Sequence, residues 1–160
     1  MLKLSFCTIV LIFFWQISLP QTEALSEQLV SEIDSTFNKR ITVAENFDLE
    51  LFRKLIYDDN KMGFIFDGNF YESVNVLINN YDLRTRTLLK QELKVEKKDV
   101  KILNDTTAMV IASGDLGIFT LDNKSYYFHF GWTHLYQLLN KEWKIIHFSE
   151  SKQYYRTGPE

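Results

Sequence analysis

From Lys124 to Glu150, apolar and aromatic residues recur at every second position, the period of a β-strand, so this stretch predicts two long strands around a polar turn at Asn140, Lys141 and Glu142. Successive side chains of a strand point to opposite faces. Alternation therefore places Tyr126, Phe128, Phe130, Trp132, His134 and Tyr136 on one face, with Tyr127, His129, Gly131, Thr133, Leu135 and Gln137 on the other. On the following strand, simple alternation separates Ile146, Phe148 and Glu150 from Trp143, Ile145, His147 and Ser149. A sheet apolar on both faces needs cover on both.

Upstream the period is that of helices. Leu29, Val30, Ile33, Phe37 and Ile41 share one face of a first helix, with Ser26 as its expected N-cap. Asp48 is placed to cap a second, shorter helix carrying Leu49, Phe52, Leu55 and Ile56. Gly63 to Phe66 reads as a short buried strand that ends in the turn Asp67-Gly68-Asn69, and Phe70, Val74, Leu77, Ile78 and Tyr81 define a third helix. From Thr87 the period is two. Leu89, Gln91, Leu93 and Val95 face one way; Val100 and Ile102 have the opposite parity, so an extra residue is expected near Lys97 to Asp99, as in a β-bulge. A turn at Asn104-Asp105-Thr106 leads into Ala108, Val110, Ala112 and Gly114. The expectation is an α+β domain of three helices followed by a meandering, curved antiparallel sheet, with the helices on its concave face.

The first 24 residues read as a leader. Lys3 is followed by the apolar run Leu4 to Leu19, then Pro20, then Thr22-Glu23-Ala24, whose small residues suit signal-peptidase cleavage after Ala24. The run is shorter than the about 20 residues that span a bilayer. Cleavage would leave a domain over 25–151 and a tail over 152–160, secreted or periplasmic and without a membrane segment. It would also remove Cys7, the only cysteine, and with it any disulfide, thiol nucleophile or thiolate metal site. The 160 residues are 46% hydrophobic, enough for one real core, and the net charge of -3 with interspersed signs offers no basic stripe for nucleic acid.

Taken together, the helices, the Asp67-Gly68 turn, the hairpin VKILNDTTAMVIASG and the ending NKEWKIIHFSES resemble the SnoaL-like branch of the nuclear transport factor 2-like superfamily, which includes the association domain of calcium/calmodulin-dependent protein kinase. The resemblance implies a cone of curved sheet closed by helices around a cavity, and dimerisation through the outer sheet face. In isomerase-like members of that superfamily a general base lies near the end of the first strand, and its counterpart by chain order is Asp67; a donor on the penultimate strand corresponds to His134. The tyrosine such members carry on the first helix has no counterpart, that region offering Phe37 and Arg40. Where the kinase association domains place arginines on the sheet, this chain has Gly114, His134 and Glu150.

The candidate catalytic pair is thus Asp67 and His134, a carboxylate raised towards basicity by an apolar site beside an imidazole. An Asp-Gly pair equally suits a turn with no chemistry. The expected cavity lining is Trp132, His134, Tyr136, Phe148 and Glu150 from the sheet with Arg40 from the helix side, suited to a small apolar or aromatic ligand fixed by one or two hydrogen bonds. No cofactor fingerprint is present, and His129 and His134 point to opposite faces, so neither cofactor nor metal is expected. Thr133, Leu135, Trp143, Ile145 and His147 form the expected outer patch, too apolar for a monomer, and predict a homodimer. The favoured reading is a non-catalytic small-ligand-binding or assembly module; the alternative is a cofactor-independent isomerase, cyclase or dehydratase.

Overall fold

The computed structural model describes residues 5–59 and 63–157, with side chains described from Leu25 to Tyr155. The expected leader over 1–24 lies outside those side chains. In chain order the elements are α1 (Ser5–Asn46), α2 (Leu49–Leu55), β1 (Phe64–Phe66), β2 (Asn69–Tyr71), α3 (Val74–Thr85), β3 (Leu88–Asn104), β4 (Thr107–Thr120), β5 (Ser125–Leu139) and β6 (Glu142–Thr157).

Helix α1 carries the expected stripe: Leu29, Ile33 and Phe37 are buried, and Arg40 and Ala44 continue the same line. Ser26 is not its cap, because the helix runs through it from Ser5. Phe47, at φ 56°, breaks the helix, and the Asp48 carboxylate then accepts the Leu51 backbone N–H at 2.9 Å to start α2, which buries Phe52 and Leu55. Asp67 and Gly68, at φ 50° and 76°, form the tight turn of the β1–β2 hairpin, in which Phe66 faces Asn69. Phe70 belongs to β2, not to the third helix, and is exposed; α3 starts after the Ser73 cap and buries Val74, Leu77, Ile78 and Tyr81.

The sheet order is β2-β1-β6-β5-β4-β3. It is mixed rather than wholly antiparallel, because β1 pairs with β6 in parallel through Ile65↔Ser149 and Phe66↔Glu150. From β3 onward, tight turns force antiparallel neighbours, whereas β1 arrives from α2 and no hairpin fixes its direction relative to β6. Residues 152–157, expected as a tail, continue β6.

Bulges decide which side chains face the helices. The one expected near Lys97 falls at Glu96, between the pairs Val95↔Gly114 and Lys97↔Ser113, and it lets Val95 and Val100 both pack on the core. Another omits Leu89, which is exposed. A third, at Ile146, lies between Leu135↔His147 and Tyr136↔Ile145. This corrects the expected outer patch: upstream of the extra residue the parity reverses, so Trp143 and Ile145 are core residues and the Trp143 indole N–H reaches Glu32 on α1 at 3.0 Å. Thr133, Leu135 and His147 keep the opposite parity and are half-buried.

Candidate functional site

Alternation along β5 and β6 brings His134, Tyr136 and Glu150 to the helix-facing side of the sheet, and the apolar stripe of α1 delivers Arg40 to the same place. All four are essentially inaccessible, between 0% and 1% exposed. The Arg40 guanidinium grips Glu150 with two bonds, Nε to Oε1 at 3.1 Å and one Nη to Oε2 at 2.8 Å. This planar, bidentate match is what arginine offers a carboxylate. The guanidinium carbon also lies 4.6 Å from the Phe52 ring centroid and 5.0 Å from that of Trp132, so aromatic faces replace water around the cation.

His134 completes the network. Its Nε2 is 2.9 Å from Glu150 Oε1 and its Nδ1 is 3.2 Å from the Tyr136 hydroxyl. Burial lowers the imidazole pKa, and the bond and charge of Glu150 offset only part of that effect, so the ring is neutral. The carboxylate accepts only, which places the ring proton on Nε2 and leaves Nδ1 to accept from Tyr136. For Glu150, burial pushes the carboxyl up, but the charge of Arg40 and the His134 bond outweigh it and hold the pKa below the usual value. Burial raises the Tyr136 phenol well beyond its ordinary range. The result is a neutral assembly of one ion pair, one neutral imidazole and one phenol.

Two donors remain over. Arg40 Nη1 and the Tyr81 hydroxyl are buried without a hydrogen bond of full geometry; burial raises the Tyr81 phenol, and the charge of Arg40 with a weak bond from it offsets only part of that. Both residues border a small cavity of about 30 Å³, with Trp132, Leu116, Phe130 and Glu150 among its walls. The exposed Ser151, with Asp67 and Lys152 whose side chains are 16% and 28% exposed, lines its more accessible side. Of the expected lining, Arg40, Trp132 and Glu150 border this space. His134, Tyr136 and Phe148 do not, being packed behind it, with Phe148 between Phe52, Phe64 and His134.

The two candidate catalytic residues are thus separated in role. Both nitrogens of His134 are engaged within the network. Asp67 Oδ2 is ion-paired with Arg84 at 2.8 Å and Lys152 at 2.6 Å, and its backbone N–H donates to the Glu150 carbonyl at 2.9 Å. Either group would have to shed a partner before it could take a proton from a substrate. Tyr81 and Phe130 were missed as lining. The signal for Tyr81 was there, a tyrosine on an apolar helical stripe whose hydroxyl needs a partner. Among the described residues, no group of three or more His, Cys, Asp or Glu could hold a metal ion.

This geometry rests on a fold that many solved structures share. No family model matches the chain, and no curated protein matches it by sequence. A nuclear transport factor 2-like superfamily protein from Salmonella enterica serovar Typhimurium aligns with a TM-score of 0.73 at 17% identity, covering 83% of this chain and 96% of that one. A hexachlorocyclohexane dehydrochlorinase from Novosphingobium barchaimii aligns with a TM-score of 0.70 at 12% identity over 84% of this chain and 93% of its own. A candidate scytalone dehydratase from Novosphingobium aromaticivorans aligns with a TM-score of 0.73 at 8% identity, over 85% and 90%. The chain therefore has the nuclear transport factor 2-like α+β fold, in agreement with the resemblance read from its sequence. At these identities the likeness carries the fold and no activity.

Proposed function

We propose that this chain is an exported, non-catalytic module that binds a small apolar or aromatic ligand through one acceptor oxygen. The observation that carries this reading is the pair of buried donors without a fully formed hydrogen bond, Arg40 Nη1 and the Tyr81 hydroxyl, bordering one cavity. A buried donor left unpaired costs about 1–3 kcal/mol, and an acceptor supplied by a ligand recovers it. The cavity admits an oxygen and little more, so the apolar body of the ligand would lie towards Leu116, Phe130 and the half-buried Lys152. The engagement of both His134 nitrogens supports binding over turnover. Export follows from the leader pattern alone.

The test is a thermal-shift screen with aromatic carbonyl compounds against hydrocarbons of matching shape, since a ligand of the folded state raises its apparent stability. Carbonyl compounds are expected to stabilise and the hydrocarbons not. Tyr81→Phe should leave the free protein about as stable, because it deletes a buried hydroxyl that makes no fully formed hydrogen bond, while weakening the carbonyl ligand by about tenfold. An unchanged affinity in Tyr81→Phe would sink the reading. The alternative, a cofactor-independent isomerase, cyclase or dehydratase, requires Asp67 or His134 to shed its partners. Turnover of any hit that is lost in Asp67→Asn or His134→Gln would establish it instead.

A further inference from the structure

A second and larger space lies between α1, α2 and the β5–β6 turn, an open groove of about 500 Å³. Its size is within the range that small-molecule sites occupy. Four of its lining side chains are lysines: Lys39 on α1, Lys54 on α2, and Lys141 and Lys144 at the turn. Its two carboxylates are already engaged. Glu32 accepts Gln28 on one oxygen at 2.9 Å and the Trp143 indole on the other at 3.0 Å, and Glu142 pairs with Lys144 at 2.6 Å. Lys144 is further pinned by its bond to the Lys54 carbonyl at 2.8 Å. Among the described residues, no carboxylate lies within salt-bridge distance of Lys39, Lys54 or Lys141.

Four lysines against two carboxylates leave 4 - 2 = 2 positive charges in one groove, on a chain whose net charge is -3. The excess is therefore local and runs against the overall balance. Two excess charges match a dianion. Lysine ammonium groups are compact charges with three donors each, suited to tetrahedral oxyanions, and the hydroxyls of Ser31 and Ser35 line the same groove as further donors. Leu51 and Leu55 supply an apolar wall. The Glu142 carboxyl is held low first by its bond to Lys144 and then by lysine charge, to which Lys39 contributes, so the lysines act on the same space.

We propose that this groove binds a phosphate-type dianion, with Lys39, Lys54 and Lys141 as its charge partners and Lys144 fixed as a strut. The volume favours a phosphate group carried on a small organic body over the bare ion. This site is independent of the Arg40 cavity and does not rest on the function proposed for it.

Isothermal titration of the full chain with phenyl phosphate, inorganic phosphate and phenol tests the proposal. Phenyl phosphate is expected to bind and phenol not. Lys39→Gln and Lys141→Gln are each expected to weaken phenyl phosphate by about tenfold, as loss of a charge-assisted bond does. Lys90→Gln, on the far strand β3, should change nothing. Equal binding of inorganic phosphate, with the same response to Lys39→Gln, keeps the oxyanion site and assigns it to the free ion. The proposal is overturned by no heat from either phosphate at millimolar concentration, or by the same loss in Lys90→Gln as in Lys39→Gln. Binding that ignores Lys39 and Lys141 overturns it too.

Discussion

Glu150 is the residue on which the buried network turns, because Arg40 and His134 both bond to it. Replacing it by Gln would leave the Arg40 cation buried without a counter-charge, and breaking a buried pair in this way costs about 3–5 kcal/mol. Chemical denaturation of Glu150→Gln should show a loss of that size. The pH dependence follows from the two lowered pKa values. His134 in the folded protein titrates below 6.5 and Glu150 below 4.5, the values they take without perturbation. In each window the unfolded chain binds the proton first, so stability is full above pH 6.5, declines as pH falls below it, and falls more steeply below 4.5. His134→Gln keeps a donor and an acceptor at the site but does not titrate, and the decline between pH 6.5 and 4.5 should disappear from its denaturation profile. Arg40, His134 and Glu150 were all legible in the sequence as candidates, since alternation on β5 and β6 and the helical stripe on α1 put them on one side. Their engagement with one another was not, because residue spacing fixes the face of a side chain and says nothing of which polar atoms meet across elements.

At the level of the element, bulges separate what was readable from what was not. The parity change between Val95 and Val100 announces its own bulge, since both valines belong in the core. At Ile146 the adjoining Ile145, His147 and Phe148 suit either face, and Lys144 is the lone polar marker upstream, so simple alternation puts Trp143 and Ile145 on the wrong face. Gly114 shows a bulge acting on its neighbour. A Cβ built there would lie 2.0 Å from the Lys94 carbonyl oxygen and 3.0 Å from the Glu96 backbone nitrogen, where β3 folds inward at its extra residue. Both clashing atoms are backbone and cannot rotate away. Gly114→Ala should therefore destabilise the chain by about 1–3 kcal/mol or more, as overpacking does, despite alanine being the smallest addition. Gly131 on β5, with only the Ser151 hydroxyl at 3.6 Å from the same added atom, is the control, and its alanine variant should shift the melting temperature far less.

For the whole molecule, the fold class was legible because local turns and periods dictate most neighbours; the parallel β1–β6 pairing was not, since it joins segments far apart in sequence. With Trp143 and Ile145 turned inward, the outer sheet face is narrower than their apolar character suggested. It retains the half-buried Thr133 and Leu135, with Met109 and the exposed Ile111 beside them on β4 through the pairs Met109↔Leu135 and Ile111↔Thr133. We propose that a second copy of the chain covers this patch. Among the described residues, all three helices are committed to the opposite face through the core they share with the sheet, and none covers the outer one. Contiguous exposed apolar surface beyond a few hundred Å² is the general mark of an association site. Sedimentation velocity at micromolar concentration should give the mass of a dimer. Ile111→Glu with Leu135→Glu places like charges across a two-fold interface, where each patch meets its own copy, and should yield a folded monomer. A wild-type chain that sediments as a monomer up to about 100 µM would refute the dimer, since the interface would then fall short of the roughly 5–6 kcal/mol that a dissociation constant in that range requires.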